Sequence, residues 1–321
     1  MLKINKYSLI KNAAVLGVAS LSLSLIATSS SFSDGHIYGE NNPVTVKGYK
    51  GSKTDSTAYT GQIARQLQHN SLKKIVSKGN PNDPSSNTLN KMMNYFENKD
   101  KAKTMAILDP KSSSKFPVKQ KIVGEISTGS NLAGKADGRV QLSWPNNMTG
   151  ADVIRFMIKK ASKISGGVDM KNGMNYPQLI SKYTMGAVLY HQACDNYLDE
   201  KMTASNKPND KPYKKGAYYT GKEHSWDEAF GYWGAAAHTM TLSAQQSYDV
   251  AKKKDLKAAD FNKDGVVDLY KEMTYGHAYY ASAFDRGGKT DYLKTVTKAF
   301  IDGRKIITNA DGEKLSSSDL T

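Results

Sequence analysis

Cysteine is almost missing from this chain of 321 residues, with Cys194 standing alone. That excludes an intrachain disulfide framework, a Cys-rich zinc finger and a Cys-ligated cluster. Arginine is scarce as well. Arg65, Arg139, Arg155, Arg286 and Arg304 are the only five among 45 basic residues, and the rest are Lys. Base readers and phosphate clamps favour the planar fork of Arg, so sequence-specific binding of nucleic acid is not expected. Past residue 33 no apolar run has the length needed to cross a bilayer, so no transmembrane span is expected in the mature chain. No His-Glu-x-x-His, P-loop, Gly-x-Ser-x-Gly or dinucleotide fingerprint occurs. Nor is there a repeat of 20 to 50 residues. Strand alternation is scarce throughout.

What is present is positive charge and helical periodicity. Hydrophobic residues make up 39% and charged residues 23%, a globular composition, and the formal net charge is +15. The lysines lie scattered among Asn, Ser and Asp, without a long basic block. That pattern fits a Lys- and Asn-rich codon bias, and it also fits a surface that attracts polyanions.

Residues 1–33 read as a secretory signal. Lys3, Lys6 and Lys11 form a positive start, Ala13 to Ile26 an uncharged apolar stretch, and Ala27 to Ser31 a run of small residues. The expectation is an exported protein, periplasmic or secreted, in an oxidising compartment where a lone Cys fits a buried, inert thiol.

Residues 34–56 are polar and Gly-rich and read as an extended lead-in. Residues 57–321 read as a single helical domain, an all-α bundle. Ile63, Leu67, Leu72, Ile75 and Val76 recur at roughly helical spacing, and Leu89, Met92, Met93 and Phe96 mark a short second helix. Val118 to Ile126 fits one more helix or a short strand, and residues 129–145 read as loop. Thr149 to Asp152 forms a capping box before an apolar face through Ile164. From Pro177 a long helix is predicted to about Met202, with Ile180, Tyr183, Ala187, Tyr190, Cys194 and Tyr197 as its stripe. A further helix is predicted from a capping box at Ser225 and Glu228 toward Val250. Two more flank Arg286-Gly287-Gly288.

Two motifs carry chemistry. Asp260-x-Asn262-x-Asp264-Gly265-x-x-Asp268 reproduces the first nine positions of a calcium loop between helices. Calcium is a hard ion that takes six to eight oxygens, and short acidic or amide side chains at alternate positions supply them. Val266 would lend its carbonyl. Lys271 stands where the bidentate Glu belongs, and Glu272, one residue late, is expected to reach the ion in its place. A polar turn capped by Asx side chains explains the same residues. If calcium binds, a structural staple fits better than a sensor.

The second motif is His224-Ser225-Trp226-Asp227-Glu228. An imidazole and a carboxylate one helical turn apart can hold a transition metal or act as acid and base. His238 and His277 are the residues that would complete such a cluster if the fold delivered them. Helix-start architecture explains His224, Asp227 and Glu228 as well. The aromatics from Tyr213 to Trp233 fit either ligand stacking or core packing. No complete nucleophile or acid–base set is visible, which leaves enzymatic activity open and favours binding.

Residues 223–232, Glu-His-Ser-Trp-Asp-Glu-Ala-Phe-Gly-Tyr, resemble the signature of the bacterial domain of unknown function 4856 family. Tyr59-Thr60-Gly61-Gln62 with Arg65 resembles its opening segment. Gln178, Lys182, Met185-Gly186-Ala187 and Gln192 through Leu198 resemble its central helix. Asp260 to Asp268 with Glu272 and His277-Ala278 resembles its acidic loop, and Gly303-Arg304 with Asn309 its late motif. The resemblance covers roughly residues 57 to 310. That family is similar to the imelysin group of exported helical bundles linked to iron uptake and metal binding. The resemblance thus implies an imelysin-like bundle, iron or another transition metal, and outer-membrane or periplasmic uptake components as partners. It also implies a rival reading as an imelysin-like peptidase or hydrolase, although the imelysin Gly-x-His-x-x-Glu pattern has only a distant echo at Gly221 to His224 with Asp227. A third reading, from the tyrosines and the positive charge, is a periplasmic glycan- or polyanion-binding module. The resemblance further implies a helix beyond Thr321, an expectation under which this chain would be a C-terminally truncated piece.

Overall fold

The structure, a computed structural model, describes residues 37–83, 87–97, 103–203 and 205–319. The expected secretory signal lies outside them. The described residues are mostly helical. In chain order the helices are α1 (Thr60–Val76), α2 (Asn87–Glu97), α3 (Gly150–Ser162) and α4 (Tyr176–Thr184). Then come α5 (Gly221–Trp233), α6 (Ala244–Ala251), the single turn α7 (Leu256–Ala259), α8 (Gly276–Asp285) and α9 (Tyr292–Asn309). Among the described residues the sheet is one hairpin, β1 (Val168–Asp169) antiparallel to β2 (Met174–Asn175).

The apolar stripes explain the packing. Ile63, Leu67 and Leu72 on α1, Phe96 on α2, and Ile154 and Ile158 on α3 are buried in one core with Ile180, Leu189, Phe230 and Phe300. α1 packs on α2, α4 and α5, α6 on α8, and α9 on α5 and α8. The capping box predicted at Thr149 and Asp152 starts α3.

Three expectations are corrected. The long helix from residue 177 exists, but α4 passes into a π-helical segment, Met185–Lys201. Its i→i+5 hydrogen bonds put more residues in each turn. The buried positions therefore fall at Met185, Val188, Leu189, Gln192, Ala193 and Tyr197, and Tyr190, predicted inward, is 54% exposed. Secondly, α5 starts at Gly221 rather than Ser225 and stops at Trp233 instead of reaching residue 250. Its capping box is Thr220 with Glu223, and Gly234 ends it in the left-handed conformation (φ 84°). A Cβ at Gly234 would approach the Tyr275 carbonyl oxygen to 2.9 Å, so the stop needs glycine on two counts. The lead-in also packs against α5. Tyr38 stacks on Phe230 with ring centroids 3.5 Å apart and 8° between planes. Thirdly, the stretch from Val118 to Ile126, expected as a helix or a short strand, is neither. It holds a short 3-10 turn (Val123–Glu125), and Val118 pairs in parallel with Val267 of the acidic loop.

Candidate functional site

Glu223 and Asp227 are one helical turn apart on α5, so both carboxylates leave the same face. Arg304 meets them from α9. Its Nη1 lies 3.2 Å from Glu223 Oε1 and its Nε 3.0 Å from Asp227 Oδ1, and all three side chains are sealed from solvent. Residues of the lead-in and those just after it satisfy further lone pairs. Tyr38 donates its hydroxyl to Asp227 (2.7 Å) and the Ala58 N–H donates to its other oxygen (3.0 Å). Thr45 and Ser56 donate to Glu223, each at 3.1 Å, and Arg304 Nη2 donates to Ser56 (2.6 Å). Such a buried charge network is tolerable because its members are paired and hydrogen-bonded. Fully ionised, two carboxylates and one guanidinium leave a net negative charge in a dry site. Burial pushes the Asp227 carboxyl up to about 6, with Arg304 opposing the shift.

Gly303 makes room for this lock. A Cβ there would run into the Trp226 ring, whose Nε1 donates to the Phe300 carbonyl at 2.8 Å. Most of the signature at residues 223–232 thereby has a structural role that joins three chain segments. Asp227, read from the sequence as part of a metal or acid–base cluster, points into this lock.

His224 and Glu228 leave α5 on another face. His224 Nε2 lies 3.6 Å from Glu228 Oε2, and both side chains are largely buried. Tyr219 stacks on the imidazole (4.3 Å, 13°) and Tyr213 tilts against it at 4.3 Å. Gln62 donates to Glu228 Oε1 at 2.5 Å. Two ammonium groups rim the pair, Lys201 over the Tyr197 ring at 3.8 Å and Lys207 over Tyr213 at 4.2 Å. Burial holds the His224 pKa below the usual histidine value, the nearby lysines add to that, and Glu228 opposes it. The ring is therefore neutral at neutral pH. Its buried Nδ1 has no hydrogen-bond partner among the described residues. A neutral imidazole beside a carboxylate can offer two metal ligands, or a donor and acceptor pair to a ligand.

His238 and His277 do not join this pair. His238 Nε2 faces the Ala258 carbonyl at 2.8 Å and its ring stacks on Phe261. His277 Nε2 faces the Met185 carbonyl at 3.3 Å, with Tyr190 against the ring. Cys194, expected to be buried, is half-buried, and burial pushes its thiol up to about 11, with Asp195 adding to the shift.

The acidic loop is pre-shaped. Asp260 accepts N–H bonds from Asp264 (3.1 Å) and Gly265 (2.9 Å), Asn262 from Asp264 (3.0 Å), and Asp264 from Val266 (3.0 Å). Gly265 takes φ 87° at the sharp turn. Glu272 folds back to close the loop, accepting the N–H groups of Phe261, Asn262 and Asp268. Asp268 accepts from Gln120 at 2.9 Å. These donors are the hard oxygens calcium prefers, although both Glu272 oxygens are committed to the backbone. Among the described residues, no group of three or more His, Cys, Asp or Glu side chains is gathered as a metal site. Beside the loop lies a cavity of about 300 Å³ lined by Tyr38, Glu40, His238, Asn262, Asp268 and Glu272.

Sequence reasoning missed the lock. One signal for it was available. Arg304 sits on the apolar stripe of Phe300, Ile301 and Ile307, and an Arg on such a stripe in an Arg-poor chain implies a buried acidic partner.

Comparison with known proteins bears on the whole described unit. No curated protein matches the chain, and no solved structure matches it. The family described as Domain of unknown function (DUF4856) matches residues 38–317. That span begins at the residue that stacks on Phe230 and takes in the lock, the His224–Glu228 pair and the acidic loop, so the chain belongs to the DUF4856 family.

Proposed function

We propose that this protein is an exported binding protein whose ligand is linked to a metal, with His224 and Glu228 at its centre. The observation that carries this reading is the 3.6 Å approach of His224 Nε2 to Glu228 Oε2 in a largely buried, tyrosine-lined setting. The metal would be iron or another transition metal, which imidazole and carboxylate suit. Two protein ligands leave positions for a chelator or for a group from an uptake partner. Export rests on the secretory signal read at residues 1–33, and iron and uptake partners rest on the residue-level resemblance described above. The same reading gives the loop from Asp260 to Glu272 a calcium staple, with Asp260, Asn262, Asp264, Asp268 and the Val266 carbonyl as its oxygen set. Its support is the pre-shaped turn and its pairing with Val118.

Metal content by mass spectrometry on protein purified without chelator tests both parts. The expected result is about one calcium, lost on joint Asp260→Ala and Asp264→Ala substitution. Stoichiometric iron, zinc or copper, lost on His224→Ala, is expected beside it. Protein free of every metal after growth with supplied calcium and iron overturns both assignments. A second reading, an anionic glycan stacked on Tyr213 and Tyr219, is favoured by the Lys201 and Lys207 ammonium groups at the same rim. Salt-sensitive glycan binding that survives metal removal would select it.

A further inference from the structure

The turn between α8 and α9 presents two aromatic side chains to water. Phe284, in the last turn of α8, is 70% exposed, and Tyr292, first in α9, is 55% exposed. Between them run Arg286, Gly287, Gly288 and Lys289, all exposed. Asp285 interrupts this sequence but not this surface. It is buried, accepting the Thr290 hydroxyl (2.6 Å) and the N–H groups of Tyr292 (3.1 Å) and Leu293 (2.7 Å). Its charge is spent on starting α9, and the aromatics on either side are left outward.

Cations continue the surface from this turn. The Arg286 guanidinium lies 3.6 Å from the Tyr248 ring centroid, and Lys252 lies 5.7 Å and 5.0 Å from Tyr248 and Tyr279. Tyr248 and Tyr279 stack (5.5 Å, 25°), Tyr279 meets Tyr280 edge-on, and Lys182 sits 3.4 Å over Tyr280. Tyr280 and Phe284 are four residues apart on α8, hence neighbours on one face. The tyrosines hold these cations in place without neutralising them. Among the described residues, no carboxylate pairs with Lys182, Lys252, Arg286 or Lys289 within salt-bridge distance. The one exposed carboxylate of the turn is Asp291.

We propose that this face docks on an anionic lipid surface. The Phe284 and Tyr292 rings would enter the headgroup region, and Arg286, Lys289, Lys252 and Lys182 would lie over the lipid phosphates. Charge complementarity selects the occupant. An anionic bilayer interface uses both features at once, the exposed aromatics in its headgroup region and the unpaired cations over its phosphates. The formal net charge of +15 draws the whole molecule toward the same surface. This inference is independent of the His224 reading.

The test places a reporter in the face itself. Phe284→Trp in the full chain is mixed with vesicles of phosphatidylglycerol and phosphatidylcholine, or of phosphatidylcholine alone. The added indole emission, taken as the difference from the parent protein, is then followed. A blue shift and quenching by brominated lipid on the anionic vesicles, absent on the neutral ones, is the expected result. Arg286→Gln with Lys289→Gln in the same background is expected to weaken the partition by roughly 25-fold, from about fivefold per cation. Lys163→Gln with Lys171→Gln, two exposed lysines outside the set named above, is expected to change it little. An indole that stays water-exposed on bound protein, or shifts equally on neutral vesicles, overturns the proposal. So does an equal loss from both double substitutions. Capture of the indole by heparin and not by lipid would assign the face to a soluble polyanion instead. All these residues are exposed, so unfolding midpoints should match the parent protein.

Discussion

Glu223 and His224 are adjacent in the chain, as are Asp227 and Glu228, yet each neighbour enters a different environment. Glu223 and Asp227 belong to a dry network in which Arg304, Tyr38, Thr45, Ser56, Thr220 and the Ala58 N–H satisfy the carboxylates. His224 and Glu228 meet each other on a face rimmed by Lys201 and Lys207, with one imidazole nitrogen unpartnered among the described residues. The first pair holds the lead-in, α5 and α9 together. The second has capacity to spare. One motif thus sends positions i and i+4 into the lock and positions i+1 and i+5 to the tyrosine-lined face, because a helix turns about 100° per residue.

The comparison breaks most visibly at Arg304. Arg304→Ala leaves two buried carboxylates without their counter-charge and is expected to cost about 3–5 kcal/mol. Urea unfolding with an unchanged slope and a lowered midpoint would read this directly. Loss of less than about 1 kcal/mol would mean that the network is not sealed. Next in size is Tyr38→Phe. It removes a hydrogen bond to a buried charged acceptor and should cost roughly 1.5–3 kcal/mol. Gly303→Ala should cost about 1–3 kcal/mol by forcing a methyl group against Trp226, and Trp226 fluorescence should report the displaced ring.

Acidity separates the two pairs by sign. Asp227 has a folded pKa raised to about 6 by burial. Between its unfolded value near 3.8 and pH 6 the folded state holds more proton, so its contribution to stability rises as pH falls. His224 has a lowered folded pKa. Below about pH 6.5 the unfolded state takes up more proton there, so its contribution falls as pH falls. Stability differences between parent and Asp227→Asn, and between parent and His224→Gln, should therefore slope in opposite directions near pH 6. Equal slopes would mean that the two faces share one environment. The smallest effect belongs to His224→Phe. It keeps a flat ring against Tyr219 and should change stability by less than about 1.5 kcal/mol, while abolishing any metal or ligand that the imidazole holds.

Much of the fold was legible residue by residue. Ile63, Leu67 and Leu72 announced α1, the Thr149 and Asp152 box announced α3, and glycine and asparagine at Gly265 and Asn262 marked a shaped loop. Tyr190 and the stripe of the π-helical segment were not legible, because a 3.6-residue period was applied where the winding is slower. The start of α5 was misplaced by four residues because Ser225 and Glu228 mimic the spacing of the box that Thr220 and Glu223 form. The lead-in read as polar because Tyr38, Thr45 and Ser56 spend their hydroxyls on carboxylates far away in sequence.

By itself the sequence determined the all-helical architecture, the acidic loop and the residues of the signature, since each depends on local periodicity, turn chemistry or spacing along one helix. The tertiary structure alone decided which of those residues are spent and which are free. Asp227 is claimed by Arg304 across 77 positions and Tyr38 across 189. His238 and His277 are claimed by the carbonyls of Ala258 and Met185. Such long-range pairing follows from how helix faces pack, and the burial that sets the charge of Asp227 and His224 exists only once α5, α9 and the lead-in have closed around them.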